Sequence, residues 1–261
     1  MGLDRVTIVL VEPSHPGNIG ATARAMKNMG LYRLHLVAPH QFPHAEASSR
    51  ASGAADLLAA ARVLPDLPSA LTGTDWVVGS TARDREISAP FQEPGPAAAD
   101  MMRQAAAGRE VALLFGRESS GLTNEELDLC DALVGIPAAE DYASLNLAQA
   151  VQILAYELFL AARDGPAGTA AEDELPAGGE VTEGLFGHFE RVLRDVGFAK
   201  PRSEKRTFRR LRRLLLRARP TAAEVDFLRG VLSAVEKRIH GPTPRNGTGS
   251  RTGEAGKGRK N

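Results

Sequence analysis

The sequence predicts an α/β fold in which a parallel sheet carries helices on both faces, followed by a small, basic, all-α extension. Three observations predict it. Over residues 1–164, short and nearly continuous apolar runs alternate with stretches of helical spacing, the pattern of strands buried on both faces. Residues 165–181 then form a linker rich in Gly, Pro, Ala and acids, with no periodicity. Three amphipathic segments follow over residues 182–240, ahead of a tail, residues 241–261, whose Gly/Thr/Lys/Arg composition predicts disorder.

The first apolar run, Val6–Val11, is too short for a signal-sequence core or a membrane span and reads as a strand. Helical spacing over Ile19–Met29 follows, with Gly30 where a C-terminal cap belongs. Further strands are expected at Leu34–Val37, Trp76–Gly79, Val111–Phe115 and Leu133–Ile136. Helices are expected between them at Ser48–Ala61, Ala97–Ala107 and Asn124–Cys130, the last opened by a Thr123/Glu126 capping box. The longest apolar stretch, Leu145–Ala162, is interrupted by Asn146, Gln149, Gln152 and Glu157, so it reads as a buried helix of a soluble protein. In the extension, one stripe is Leu185, Phe186, Phe189, Val192, Leu193 and Val196. A second is Phe208, Leu211 and Leu215, and a third is Val225, Leu228, Leu232, Val235 and Ile239.

Hydrophobic residues make up 43% of the chain, enough to build a core. A single cysteine, Cys130, excludes an internal disulfide, and with no targeting or membrane segment the expected location is the cytoplasm. The net charge of zero conceals a separation. Residues 1–164 hold 12 Lys/Arg and 20 Asp/Glu, a net of −8, whereas residues 191–261 hold 20 bases and six acids, a net of +14. So basic a segment on an acidic protein points to a polyanion partner, a solvated charged face being the plainer alternative. Candidate phosphate-binding residues are Arg206, Arg209, Arg210, Arg212, Arg213 and Arg217, expected on the solvent side of a helix whose other side is Phe208, Leu211 and Leu215.

In an open parallel sheet, ligands bind beyond the carboxyl ends of the strands. Four polar or glycine-rich loops fall there: Glu12–Asn18, Gly79–Arg83, Gly116–Gly121 and Ala138–Ser144. The stretch Gly116–Thr123 imitates a phosphate-binding loop, but Leu122 stands where its lysine is required, which argues against an NTPase. No glycine-rich dinucleotide fingerprint follows the first strand. His40 and His44 have ligand-like spacing without a third ligand nearby, so no metal is expected. Cys130 has no adjacent base and reads as an inert thiol.

Three motifs stand in order within these loops. The first is Asn18-Ile19-Gly20-Ala21-Thr22-Ala23-Arg24-Ala25-Met26-Lys27. The second is Leu114-Phe115-Gly116-Arg117-Glu118 with Gly121-Leu122. The third is Ile136-Pro137 followed by Tyr142-Ala143-Ser144-Leu145-Asn146-Leu147-Ala148. With them the chain resembles the SPOUT superfamily of RNA methyltransferases, in its SpoU/TrmH-like branch, and within that branch the bacterial tRNA methyltransferases. Leu211-Arg212-Arg213-Leu214, Ala218-Arg219-Pro220 and Leu228-Arg229-Gly230 extend the resemblance through the basic helices, so that it covers about residues 5–240.

The resemblance implies transfer of a methyl group from S-adenosylmethionine to a ribose 2′-hydroxyl of tRNA, at a pyrimidine on the 5′ side of the anticodon loop (position 32 type). It also implies a homodimer that completes each active site, and a deep trefoil knot where general topology rules predict a plain doubly wound sheet. Carried over by motif, the cofactor pocket uses Ser80, Thr81, Ala82, Leu114, Gly116, Ile136, Ala143, Ser144 and Leu145. Ala143 departs from the serine usual in such relatives and loses a hydroxyl. Arg24 is the leading catalytic candidate. Because guanidinium stays protonated, it reads as a clamp on the target phosphate or ribose and not as a base. Ser144 and Asn146 could hold the ribose, while Asn18 and Glu118 fix the loops. No metal is needed for attack on a sulfonium methyl. Methylation of rRNA and a non-catalytic RNA-binding module on the same fold are the alternatives, and the intact Arg24, Glu118 and Ser144 set argues against the second.

Overall fold

A computed structural model of the chain describes residues 2–82, 89–139, 144–165, 176–201 and 203–241. Its centre is a seven-stranded sheet in the order β3-β2-β1-β6-β4-β7-β5, with every pairing parallel. The strands are β1 (Val6–Val11), β2 (Arg33–Val37), β3 (Arg62–Leu64), β4 (Trp76–Ser80), β5 (Phe91–Gln92), β6 (Val111–Phe115) and β7 (Ala132–Val134). The helices of this part are α1 (Pro16–Asn28), α2 (Ala45–Ala51), α3 (Ala55–Ala59), α4 (Leu67–Ala70), α5 (Pro94–Ala106), α6 (Asn124–Leu127) and α7 (Leu147–Asp164). Three more follow: α8 (Gly179–Asp195), α9 (Glu204–Ala218) and α10 (Ala222–His240).

The five strands read from the sequence are present, but the last ends at Val134 and leaves Gly135 and Ile136 in a loop. Two edge strands escaped the sequence reading, β3 and β5, because they are three and two residues long. The helix expected over Ser48–Ala61 is broken into α2 and α3 at Ser52, whose φ of 52° no helix accommodates. Both caps read from sequence are formed. Gly30 sits at φ 72°, and Thr123 and Glu126 close a complete capping box on α6.

Alternation along each strand divides the core in two. Val6, Ile8 and Leu10 of β1 face α1, α5 and α7, packing with Ile19, Met26, Met101, Val151, Leu154 and Leu158. Val9 and Val11, with Ala112 and Leu114 of β6, face the other way. There they join Leu127 of α6 and, from the last three helices, Leu185, Phe186, Leu215, Val225 and Leu232. Each fully buried Leu, Ile or Phe on these faces contributes about 1.5–3 kcal/mol.

The helices α8–α10 therefore share a core with the sheet. Polar contacts reinforce the seam. The Gly179 amide donates to the Asp75 carbonyl (2.9 Å), and Ala177 donates to the carbonyl of Pro220 (2.7 Å). Arg219 pairs with buried Asp100 (2.6 Å) and lies over the Trp76 ring, 5.6 Å from its centroid. Residues 176–181, within the stretch read as linker, thus make specific contacts, and residues 166–175 and the tail from 242 lie outside the described residues.

Candidate functional site

The sheet order places the ends of β1, β6, β4 and β7 side by side, with β1 and β6 at the point where the chain's winding reverses. A crevice forms at such a point because the loops following the two strands diverge to opposite sides. Here the loops after β1 and β6 are laced together by one carboxylate. Glu118 accepts hydrogen bonds from the Ser14 amide (3.0 Å) and hydroxyl (3.0 Å), the His15 amide (3.2 Å) and Asn18 Nδ2 (3.1 Å). Burial pushes the Glu118 carboxyl up, yet these bonds outweigh it and hold the group down to about 2. An acceptor so fully occupied is a poor base and a good brace.

Asn18 continues the chain of contacts, since its Oδ1 accepts from Asn146 Nδ2 at 3.0 Å. Asn146 is the N-cap of α7, its own Oδ1 accepting from the Ala148 amide at 2.9 Å. Both polar atoms of the Asn146 side chain are thereby engaged within the protein. The first of these contacts braces α1 against α7.

A second tie runs beside the first. Arg117 forks onto Glu12 (2.5 and 2.9 Å) and reaches Glu126 with its remaining donors (3.0 and 3.1 Å). The hydrogen bond from Arg117 lowers the Glu12 carboxyl, and Glu12 and Glu126 in turn hold the guanidinium in its charged form. The loop itself is tight. A Cβ on Gly116 would overlap the backbone of Gly121 and Leu122, so only glycine fits where the chain folds back on itself. Neighbouring motif residues could not have shown this clamp, because Glu12 and Arg117 are 105 positions apart.

Of the residues expected in a cofactor pocket, Ser80, Thr81, Gly116 and Ile136 lie half-buried at three adjacent strand ends, β4, β6 and β7. The Thr81 amide donates to the Val134 carbonyl at 3.0 Å. Ala82 is exposed, and Ser144 and Leu145 are exposed immediately before α7. Leu114 is a correction. It is fully buried and paired on both sides, to Val9 and Gly79, so it forms the floor beneath the loops and offers no surface. Ala143 lies outside the described residues. Small residues and one half-buried isoleucine at strand ends fit a flat heterocycle held by backbone groups.

Arg24 projects from the solvent side of α1, six residues beyond Asn18, which is about 9 Å along the axis. Among the described residues it makes no ion pair, so its charge is available to a ligand. On α9, Arg206, Arg209, Arg210, Arg213 and Arg217 are exposed. Of these, Arg209 pairs with Asp128 at 3.1 Å. Arg212 is the exception to the expected stripe. It turns inward, 4.4 Å over the Phe186 ring and paired with Glu183. Its position four residues after Phe208 places it near the apolar side, a signal that was present in the sequence.

Among the described residues no group of three or more His, Cys, Asp or Glu could hold a metal ion, and no helix is long and apolar enough to cross a membrane.

Residues 5–156 match the model of the SpoU rRNA Methylase family, and residues 180–244 match that of the C-terminal domain of the tRNA methyltransferase TrmJ. The chain is 46% identical over 249 residues to the tRNA (cytidine/uridine/adenosine-2′-O-)-methyltransferase TrmJ of Pseudomonas aeruginosa, covering 92% of this chain and 96% of that one. It is 45% identical over 249 residues to the tRNA (cytidine/uridine-2′-O-)-methyltransferase TrmJ of Sodalis glossinidius, covering 95% and 97%. Among solved structures, TrmJ of Z. mobilis superposes with a TM-score of 0.70 at 36% identity, over 88% of this chain and 99% of that one. A probable methylase family protein from Haemophilus influenzae gives 0.60 at 38% identity, over 91% and 98%. With a family model spanning more than half of its length and such relatives along nearly all of it, this chain belongs to the SpoU methylase family of RNA methyltransferases, in its TrmJ branch.

Proposed function

We propose that this protein is an S-adenosylmethionine-dependent tRNA (cytidine/uridine-2′-O)-methyltransferase that modifies an anticodon-loop pyrimidine of the position-32 type. The observation that carries the proposal is the braced constellation of Asn18, Glu118 and Asn146 at the switch point, beside an exposed Arg24 that makes no ion pair among the described residues. The TrmJ names of relatives at 45–46% identity give the substrate class.

Ser80, Thr81, Gly116, Ile136, Ser144 and Leu145 would hold S-adenosylmethionine, which supplies an electrophilic methyl group when bound. Arg24 binds the target phosphate or ribose and orients the 2′-hydroxyl. Glu118, Asn18 and Asn146 keep the loops around β1, β6 and α7 in register and leave proton transfer to other groups. Arg206, Arg209, Arg210, Arg213 and Arg217 grip phosphates of the tRNA body.

The proposed assembly is a cytoplasmic homodimer with the region after β6 threaded as a trefoil knot. Tyr156 and Phe159 on the outer side of α7 are 47% and 37% exposed, apolar surface suited to a second copy. Sedimentation at micromolar concentration checks it, and a fully active monomer is the contrary result. Methyl transfer from labelled S-adenosylmethionine to bulk tRNA and to bulk rRNA, assayed separately, tests the activity. Labelling of tRNA alone is expected. Labelling of rRNA alone, or of neither, would overturn the proposal.

A further inference from the structure

We propose that Phe198, in the connection between α8 and α9, is a stacking platform for an unpaired base of the bound RNA. The proposal rests on the RNA-binding role given above and adds a base contact to the phosphate contacts of α9. Two features of the structure carry it. One is the way the aromatic ring is presented, and the other is the charge of the segment that carries it.

The chain leaves α8 through a complete Schellman turn. Gly197, at φ 73°, donates to the Arg194 carbonyl (2.9 Å), and the Phe198 amide donates to the Leu193 carbonyl (3.0 Å). The Ala199 amide also donates to the Leu193 carbonyl (3.1 Å), so the backbone is fixed on each side of the ring. In such a turn an apolar side chain at the position of Phe198 normally folds back onto the last turn of its helix. Phe198 is instead 67% exposed. A fixed backbone beneath a solvated ring means that little ordering is left to do when a flat partner arrives.

The neighbourhood selects that partner. The other aromatic ring of this corner, Phe208, is already covered by the Arg194 guanidinium, 4.9 Å from its centroid. The nearby acid Glu204 is consumed by Arg194 at 2.6 Å. Lys200, two residues after Phe198 in the same connection, and Lys205 and Arg206, at the start of α9, are exposed, and among the described residues they form no ion pair. An uncovered ring on a connection followed by unneutralised cations matches a nucleotide whose base is out of the helical stack: the cations meet phosphates and the ring meets the base. An acidic peptide would satisfy the cations but gain nothing from the ring's face, so a nucleic acid is the better fit.

The test uses the full chain with Phe198→Ala and Phe198→Trp, titrated with tRNA across a salt series. Phe198→Ala should weaken tRNA binding by about 5- to 150-fold, the range for loss of one stacked base, while leaving the salt slope unchanged. Phe198→Trp should keep the affinity, and its emission should be quenched by tRNA. That signal is readable because the chain's one natural tryptophan, Trp76, is buried. A fully paired RNA duplex should leave the emission unchanged. Wild-type affinity in Phe198→Ala, or equal quenching by tRNA and duplex, would overturn the stacking role while leaving the methyltransferase reading intact. Failure of the unsubstituted protein to bind tRNA would overturn both.

Discussion

Replacing Arg206, Arg210, Arg213 and Arg217 together with alanine removes four exposed guanidinium groups that have no ion-pair partner among the described residues. They fall within about 60° of one another on the helical wheel of α9, so a single run of phosphates can meet all four. Each neutralised phosphate contributes about 0.7–0.9 to the slope of log affinity against log salt, so the four together contribute about 2.8–3.6. Stability should change by less than about 0.5 kcal/mol per site, because nothing in the fold depends on these side chains. Arg212→Ala supplies the opposite case. It uncovers Phe186 and strands Glu183, and should lower stability by about 1–2 kcal/mol while altering the slope by at most about one. Filter binding of tRNA between roughly 50 and 200 mM salt, beside thermal unfolding, separates the two variants. If the fourfold variant keeps the wild-type slope, α9 is a solvated face and the RNA is held elsewhere.

Three further outcomes follow from individual side chains. Arg24→Ala should abolish methyl transfer with S-adenosylmethionine affinity nearly intact, as read by calorimetry beside turnover, and joint loss of both would mark Arg24 as structural. Glu118→Ala should cost about 1–3 kcal/mol, since it strands the Ser14 and His15 amides. Because the folded pKa of Glu118 is about 2 against a usual 4.5, its contribution is complete above pH 4.5 and fades as pH falls toward 2. Glu118→Gln should therefore flatten that acid limb, and an unchanged limb would show that the brace is not electrostatic. At Asp131, burial pushes the carboxyl up to about 7 from 3.8, although it accepts a hydrogen bond from the Val77 amide at 2.9 Å. The fold then favours the protonated form, and stability should decline as pH rises from about 4 through 7. Asp131→Asn keeps an acceptor for Val77 without the charge, so it should gain stability at pH 8 relative to wild type; a loss there would contradict the assigned cause.

The parts of the fold that could be read from sequence are those whose burial is uniform. The runs Val6–Val11 and Val111–Phe115 were readable to the residue because a central parallel strand has no solvent face to interrupt its apolar run. Arg62–Leu64 and Phe91–Gln92 were not, since a two- or three-residue edge strand carries no period to detect. In the site, motifs marked Asn18, Glu118 and Asn146 as important but gave no direction to their side chains. The roles of Glu118 and Asn146 follow from where their acceptors and donors are spent, across separations of 100 and 128 residues. Leu114 is the converse case. A motif marked it as a contact, while its place on a central strand already implied that both its faces would be covered.

The seam between the sheet and α8–α10 raises the same question at the scale of domains. A stretch rich in Gly, Pro and acids suggested a tethered, independent RNA-binding unit, and the charge separation encouraged that division. Two shortages argue for a joined structure. Three helices of 17, 15 and 19 residues form a small unit whose own core is only marginally stabilising. Among the described residues, the sheet face formed by Val9, Val11, Ala112 and Leu114 is covered from within its own domain by no helix longer than the short α4 and α6. Packing the second against the first removes both shortages, and Leu185, Phe186 and Val225 complete the face that α1, α5 and α7 leave open. The exposed arginines of α9 are consequently held in a fixed position relative to the strand-end loops. On the proposed function, rigid packing would set the reach from phosphates held on α9 to a ribose held by Arg24, so that a substitution loosening Arg219 from Asp100 should disturb where the RNA is methylated before it disturbs how tightly the RNA binds.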